Sequence, residues 1–577
     1  MELPSFREIN IKERIKNTKK YVEDRLVETL AKAGKDLTLE KYLTSVFAPL
    51  VIFGILVSVV LKMFVFSILS LSGFVTMIPY ILPFACFILA IIYPFLFIHS
   101  RAKDIDTKIH LFITYLSVIS TTGAERKILF RMASEKEEFG TVTKEMQKIM
   151  KVADAWGMGF VRACRLAAKT TPSIIFKDFL ERLAHAFQAG EEIGEFLRQE
   201  VDVVMNGYER MYKQALYKID TMNDMYLNLI VTLAFVAAFA LIFPMLTDLS
   251  MTSMVYMMIF LFLMADLGLY TFIKAVTPTD PLYHSLPIKT PGRERIESLI
   301  LPVGIVTFIL FFLLLILDKF SLPVKIAISQ TPWLLVGFLA LKEEQLVRRK
   351  DDNFPTFIRT VGNAAGVRGG SITPVIGTIR LHNYGPLTEN IHALYRRLSL
   401  GDVEASWRYF AGESGSNLID KFSRIFIEAT YAGGDPPTIG ETISKTFIRI
   451  NNLRKFRLQS AVKLRAMLYS SMIGIAISIY VVVWLVKALG KIFMKFSVGE
   501  GKQYLPTHFT LGFFNLDFIL FLIWILIVLH AAFSAIVIKI TDGGDSYNAL
   551  MHYVILLWIG VLISIITPKA FTSFVPL

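Results

Sequence analysis

The stretches HAFQAGEE (185–192) and EATYAGGD (428–435) share an aromatic residue, then Ala-Gly, then an acid. Their glycines, Gly190 and Gly433, lie 243 positions apart. The same offset separates three further pairs: Gly123 in STTGA from Gly366 in NAAGV, Ser173 from Ser416, and Phe179 from Phe422. Self-similarity at a fixed offset is typical of duplicated structural modules. The sequence therefore predicts two copies of one helical unit.

The repeated glycines have a predicted structural role. Gly190 and Gly433 each follow an apolar helical run, where a left-handed cap favours glycine. Acids come next, Glu191 and Glu192 in the first copy and Asp435 in the second, and acids suit the N-terminus of a following helix. The prolines directly after Asp435 are predicted to open that helix. The glycines of STTGA and NAAGV are predicted to mark earlier turns between helices.

Composition places much of the chain in a membrane. Hydrophobic residues make up 54% of the 577 positions, and the mean hydropathy is +0.53. A helix of roughly 20 apolar residues crosses a bilayer core of about 30 Å. Nine such segments occur, near 45–70, 74–99, 225–247, 251–275, 298–317, 326–342, 467–488, 515–540 and 549–568. Gln330 and Pro332 interrupt the sixth. The predicted fold class is all-α: a polytopic membrane protein with about nine transmembrane helices and two homologous cytoplasmic helical bundles.

These spans divide the chain into six predicted regions. They are a cytoplasmic N-terminal segment (1–44), a transmembrane hairpin (45–99), a first helical domain (100–224), transmembrane helices 3–6 (225–341), a second helical domain (342–466) and transmembrane helices 7–9 (467–577). Basic residues crowd the edges of both helical domains, as in LKEEQLVRRK (341–350). Under the positive-inside rule, both domains and the N-terminus are cytoplasmic, although the outer loop 489–513 is also basic.

The net charge of +13 raises the question of a nucleic-acid partner. Its placement at the membrane edges instead favours anionic membrane lipids or an acidic protein surface, and no nucleic acid is expected. Of the two cysteines, Cys86 lies in an apolar span and Cys164 in a polar region, so no disulfide is expected.

Motifs that would carry chemistry are missing from the sequence. Neither a Walker A loop nor H-E-x-x-H or C-x-x-C pairs occur, so the chain is predicted not to be an enzyme and to need no cofactor or metal. TDGGDS (541–546) could hold a cation through its two acids, but a solvated turn is the favoured interpretation. Asp266 and His530 fall inside spans, where charge is often functional. They would serve a secondary transporter, or simply form an interhelical hydrogen bond, which is favoured.

The duplicated layout resembles the type II secretion F domain, found in platform proteins of type IV pili and related machines. The resemblance is carried by TYLSVISTTGA with HAFQAGEEIGEFL, and by FIRTVGNAAGV with EATYAGGDPPTIGETI. The additional spans and DPLYHSLPIKTPGRER (280–295) are most similar to the archaeal platforms that assemble the archaellum. Platforms of archaeal adhesion pili or secretion systems share this layout and stay an alternative.

The resemblance implies a scaffold beneath a surface filament, in the cytoplasmic membrane. Such a platform binds a cytoplasmic ring ATPase, couples ATP hydrolysis to assembly of pilin-like archaellin subunits, and in archaella serves a rotating filament. A homodimer is also implied. The predicted ATPase contacts are six bases, Arg348, Arg349, Lys350, Arg454, Lys455 and Arg457, and three acids, Glu191, Glu192 and Asp435. Each base would serve equally well to fix membrane topology.

Two helices are predicted to connect the bundles with the membrane. An apolar stripe at helical spacing begins at Leu197 and continues into the third span, with no proline before Pro244. A similar stripe begins at Ile443 and enters the seventh span. Because the chain has no nucleotide site, it must receive force from a partner, and these helices are predicted to transmit it.

Overall fold

The computed structural model describes residues 39–60, 62, 78–155, 157, 159–245, 251–317, 320–369, 371–498 and 516–574. Regular structure in these ranges is helical, which confirms the predicted all-α class. Two compact units are present, one ending at Tyr208 and the other beginning at Glu209. Most of the predicted N-terminal segment 1–44 and of the basic loop 489–513 lies outside the described residues.

The first unit is a helical bundle carried on two apolar helices. A short helix (Leu39–Tyr42) and a π-helical turn (Leu43–Phe47) lead into the first apolar helix. The helices that follow are α1 (Ala48–Val60), α2 (Ile78–Ser120), α3 (Arg126–Ser134), α4 (Thr141–Ala155), α5 (Gly159–Thr170) and α6 (Ile174–Ala189). Helix α7 (Ile193–Ile242) begins in this unit and continues into the second. The core of the first unit is aromatic, with Phe112, Phe176 and Phe179 fully buried.

The second unit combines apolar helices with a second bundle. Its apolar helices begin with α8 (Met251–Val276), α9 (Pro291–Ile316) and α10 (Leu322–Gln330). The bundle helices are α11 (Trp333–Val367), α12 (Ile372–Ile379), α13 (Thr388–Leu398), α14 (Val403–Ser414), α15 (Asn417–Tyr431) and α16 (Pro436–Val498). Two apolar helices, α17 (Leu516–Asp542) and α18 (Asn548–Phe574), complete the described part.

The two bundles have the same internal order of helices. Shifted by 243 positions, α4, α5, α6 and the start of α7 coincide to within a few residues with α13, α14, α15 and the start of α16. Ser173 and Ser416 both act as N-caps: each side chain accepts a hydrogen bond from the amide three residues on, Phe176 and Ile419. Phe179 and Phe422 are both fully buried. The shared offset thus reflects one bundle built twice.

Nine helical segments in the described part of the chain are long and apolar enough to cross a membrane. This agrees with the predicted number of spans. The sixth is broken as its sequence suggests, because α10 ends at Gln330 and α11 starts after Pro332. Helices α7 and α16 run without interruption from their bundles into apolar sequence, over 50 and 63 residues.

Three of the four repeated glycines occupy left-handed turns. Gly123 follows α2 with φ 69°, Gly190 caps α6 with φ 72°, and Gly433 follows α15 with φ 88°. Gly366 was expected in a turn, and this expectation is wrong. It lies in the last turn of α11, where an added Cβ would collide with the ring of Pro437. Close packing, and not backbone conformation, explains the glycine there.

Candidate functional site

The six bases predicted to contact a partner lie on two helices that pack together, α11 and α16, and they divide into two groups. Arg349 and Lys455 point to solvent, and Lys455 pairs with Asp352 at 2.7 Å on the surface. Arg348 is partly buried, and the remaining three, Lys350, Arg454 and Arg457, are buried. The prediction treated the six bases as one set, although consecutive bases on a helix face different directions.

Arg454 is fully engaged inside the second unit. Its Nε and Nη2 donate to the two carboxylate oxygens of Asp280 at 2.7 and 2.6 Å, while Nη1 donates to Asp351 at 3.0 Å. Such a two-pronged pair matches the planar guanidinium. Burial raises the pKa of the Asp280 carboxyl, but the charge and hydrogen bonds of Arg454 outweigh it, so that pKa lies below its usual value. Arg454 therefore binds the loop after α8 to the bundle.

Arg457 lies one turn further along and binds backbone carbonyls. Its Nε and Nη2 donate to the oxygens of Thr541 and Ile540 at 2.7 Å each, and Nη1 donates to that of Pro278 at 3.2 Å. The carbonyls of Thr541 and Ile540 belong to the C-terminal end of α17, where oxygens lack helical partners and the helix dipole is negative. The carbonyl of Pro278 lies in the loop just after α8, so one guanidinium caps α17 and binds that loop.

Two adjacent acids of α11, Glu343 and Glu344, also bind the loops between apolar helices. Glu343 accepts a hydrogen bond from Thr290 Oγ1 at 2.6 Å, at the N-terminus of α9. Glu344 accepts from the Asp545 amide at 3.1 Å and pairs with Arg348 at 2.7 Å. Each acid therefore connects the bundle to a loop between apolar helices.

Glycines make room for these charges. An added Cβ on Gly292 would collide with Glu343, and one on Gly544 would collide with Glu344. At Gly543, which also has φ 74°, the added Cβ would lie 2.6 Å from Arg457 Cζ. The TDGGDS turn is therefore packed around side chains of the bundle. Its expected role as a solvated turn is wrong, because Thr541, Asp542 and Asp545 are all buried.

The loop 277–290 is also bonded to the bundle by its backbone. Leu282 O accepts from the Asn417 amide at 2.9 Å, and Tyr283 forms an isolated antiparallel bridge with Ser416. The ring Nε2 of His284 lies 2.8 Å from the carbonyl oxygen of Gly412. We call loops 277–290 and 541–547, with the buried charges that they receive from α11 and α16, the polar collar.

The collar contains several residues that sequence reasoning missed, including Asp280, Asp351, Glu343 and Glu344. Apart from the contact of Glu344 with Arg348, they lie 53 to 201 positions along the chain from the partners described above, so spacing gives no sign of the pairing. A signal did exist in the sequence. The Gly-Gly of TDGGDS and the KEE of α11 combine small residues and charges at the ends of apolar segments.

The tips of the bundles, opposite the apolar ends of their long helices, are formed by the repeated motifs. In the first unit Arg126 donates to the Glu191 carbonyl at 3.2 Å, and the side chains of Glu191 and Glu192 are exposed. In the second, Asp435 is exposed and accepts from the Thr438 amide at 3.1 Å, as an N-cap of α16. Exposed apolar side chains lie nearby: Val367 is 88% and Tyr431 59% exposed.

Asp266 and His530 meet inside the apolar part of the second unit. His530 Nδ1 lies 3.0 Å from Asp266 Oδ1, and Tyr226 donates its hydroxyl hydrogen to the same oxygen at 2.5 Å. All three side chains are buried. This arrangement is the interhelical hydrogen bond favoured from the sequence, extended by a tyrosine from α7. Among the described residues, no group of three or more His, Cys, Asp or Glu side chains is arranged to hold a metal ion.

Comparison with known proteins identifies relatives along most of the chain. Residues 112–241 match the family model of the type II secretion system protein F. Flagella accessory protein J of Methanocaldococcus jannaschii is 35% identical over 525 residues, which cover 89% of this chain and 93% of that protein. Flagella accessory protein J of Methanococcus voltae is 30% identical over 524 residues, covering 89% and 94%. No solved structure matches the chain.

Proposed function

The chain belongs to the flagella accessory protein J family of non-enzymatic membrane platforms, and from that premise we propose how it works. Its two bundles bind a cytoplasmic ring ATPase, and its long helices pass the resulting movement to the membrane. There it drives assembly of a filament from pilin-like archaellin subunits. The platform acts as a homodimer, and membrane lipids surround its apolar helices.

The observation that carries this proposal is the continuity of α7 and α16. Each begins beside the exposed tip of a bundle, at Ile193 and Pro436, and ends within apolar sequence. An unbroken ladder of backbone hydrogen bonds makes a helix stiff along its axis. A displacement at either tip would therefore reach the bilayer through a single element.

Topology supports a cytoplasmic location for both bundles. Four candidate spans, an even number, lie between the first bundle and the second, which supports the proposal that both are cytoplasmic. Loops 277–290 and 541–547 fall on that side by the same alternation, and the contacts of Arg454 and Arg457 with these loops agree with it. Basic residues at the membrane edges then orient this side towards the cytoplasm.

Each bundle has its own proposed ATPase contacts, which are exposed residues of the predicted set. In the first bundle they are Glu191 and Glu192 at the tip; in the second they are Arg349 and Lys455 on the flank and Asp435 at the tip. Arg454 and Arg457 have internal partners for their donors, so we assign them to the collar. Lys350 donates to the Glu413 carbonyl at 3.1 Å and is grouped with them.

Charge reversal tests these contacts. The variant Arg349→Glu with Lys455→Glu, and the variant Glu191→Lys with Glu192→Lys, should each lose capture of the ATPase from solution while keeping the same membrane topology. Glu181→Lys, on the exposed side of α6, is the matched control and should retain capture. Full capture by both double variants would refute the proposed contacts.

A second experiment tests transmission. Inserting Gly-Pro after Asp220 interrupts α7 between its bundle and its apolar part, because proline removes a donor and clashes with the preceding turn. The variant should insert in the membrane and bind the ATPase but form no filaments. Filaments of normal length from this variant would contradict the role of α7 as a transmitting element.

A further inference from the structure

From Glu209 onward, α7 lies alongside α16 and runs parallel to it. Glu209 pairs with Arg449 at 2.6 Å, Asp220 bonds to Ser460, and Asp224 pairs with Lys463 at 3.5 Å. The partners are separated by 240, 240 and 239 positions. Equivalent residues of the two repeats are 243 positions apart, which is three or four more than the residues that pair. Equivalent residues of the two helices therefore do not lie side by side. Helix α7 is displaced by three residues towards its own N-terminus.

The two helices are attached to the rest of the second unit very differently. Helix α16 is fixed by the buried guanidinium groups of Arg454 and Arg457 in the polar collar. The ion pairs of α7 with α16 are solvent-exposed in part or in full, and such pairs contribute little to stability. Tyr212, next to Arg457, adds one buried contact. The polar contacts of α7 are therefore weaker than those that fix α16.

Within the apolar part, α7 is held by the hydrogen bond of Tyr226 to Asp266. Asp266 lies on α8 and is also bonded to His530 on α17, so the carboxylate belongs to a pair that does not involve α7. In hydrocarbon a hydrogen bond to a carboxylate is stabilising, so a residue of α7 that faces Asp266 gains by supplying a donor. We call Tyr226, Asp266 and His530 the clasp.

Asn223 lies one turn before Tyr226 on the same face of α7. It is only 1% exposed, yet neither its amide nitrogen nor its amide oxygen has a hydrogen-bond partner. Nearby, the Oδ1 atom of Asp220 is buried and also lacks a partner. Buried polar groups are rarely left unsatisfied in a native structure. The amide of Asn223, with neither of its polar atoms bonded, therefore points to a second arrangement in which it is satisfied.

A shift of α7 by three residues along its axis supplies that arrangement. At 1.5 Å and about 100° per residue, it requires a translation of about 4.5 Å towards the membrane and a rotation of about 60°. Asn223 then takes the level and direction of Tyr226, on the side of α7 that faces Asp266. Asp220 becomes level with Lys463, since these residues are 243 positions apart, and the equivalent residues of the two repeats come into line.

We propose that α7 has two axial positions against α16, and that the clasp selects between them: Tyr226 holds the observed position and Asn223 holds the shifted one. Movements of one helical turn past a packed neighbour are a known form of switching. The inference deepens the proposed function, on which it rests for its role in transmitting force. The existence of two positions can be tested without ATPase or filament.

The test uses two cysteine pairs that share one position in the full-length protein in lipid bilayers. Asp224→Cys with Lys463→Cys reports the observed position, and Asp220→Cys with Lys463→Cys reports the shifted one. Adding Tyr226→Phe removes a hydrogen bond to a carboxylate, so the ratio of the second disulfide to the first should rise about tenfold or more. Adding Asn223→Leu should suppress the second disulfide. The chain with only its native Cys86 and Cys164 is the background control.

A ratio that is the same with and without Tyr226→Phe and Asn223→Leu overturns the proposal. Asn223→Leu also gives a readout that does not depend on cross-linking. Replacing an unpartnered buried amide by an apolar side chain should raise the midpoint of thermal unfolding, and a lowered midpoint would show that the amide is bonded and defeat the argument. If cross-links switch but Gly-Pro insertion in α7 leaves filaments intact, the two positions stand and the force-transmitting role fails.

Discussion

Replacing Arg454 by methionine should strongly destabilise the second unit. The substitution removes the hydrogen bonds to Asp280 at 2.6 and 2.7 Å and to Asp351 at 3.0 Å, and leaves both carboxylates buried. Breaking a buried pair by removing one partner costs about 3–5 kcal/mol, because an uncompensated charge stays behind. Methionine keeps most of the volume, so the loss reports charge and not a cavity.

Its neighbour supplies the control for this measurement. Lys455 pairs with Asp352 at the surface, where both side chains are about half exposed, and such pairs contribute about 0–1 kcal/mol. The free energy of unfolding is measured by titrating detergent-solubilised protein with sodium dodecyl sulfate and following circular dichroism. Adding Asp280→Asn and Asp351→Asn to Arg454→Met should restore part of the stability. A loss for Arg454→Met no larger than for Lys455→Met would refute the collar as a stabilising connection.

Three further changes test other parts of the structure by the same assay. Gly543→Ala should lower the free energy of unfolding by about 1–2 kcal/mol because of its backbone conformation, and by more because the new Cβ displaces Arg457. Gly190→Ala has open space around it and should lower the free energy of unfolding only by the backbone contribution. Burial raises the pKa of Asp545, against the opposing effects of the Tyr547 amide and Arg293, so the folded state binds a proton more tightly than the unfolded state. The stability that Asp545 contributes is present below its pKa in the unfolded state and declines as pH rises through its pKa in the folded state. Asp545→Asn should therefore flatten the decline of the free energy of unfolding between acid and neutral pH. Ser173→Ala and Ser416→Ala should each cost about 1 kcal/mol, since they cap equivalent helices; unequal losses would contradict the equivalence of the two bundles.

Local sequence signals predicted most of the helical architecture. The offset of 243 identified equivalent helices because Ser173 and Ser416 cap them and Phe179 and Phe422 fill the same place in each core. Apolar runs of sufficient length located the spans, since membrane crossing depends on local composition. Gly366 escaped prediction because its cause is the approach of Pro437, a residue far along the chain.

The polar collar could not be predicted either, because its contacts also join residues that are far apart along the chain. For this reason too many of the basic residues were assigned to partner contact. At the membrane edge, a run such as RRK satisfies the positive-inside rule whether its side chains face solvent or a neighbouring helix. Direction is decided by what lies opposite. Here Arg457 faces the carboxyl end of α17 and the loop after α8, while Lys455, two residues earlier, faces water. If the chain transmits force, as we propose, it must be firmly joined where its bundle meets the membrane. Charges at this edge that also have glycines opposite them are therefore better candidates for such a joint than for a docking surface.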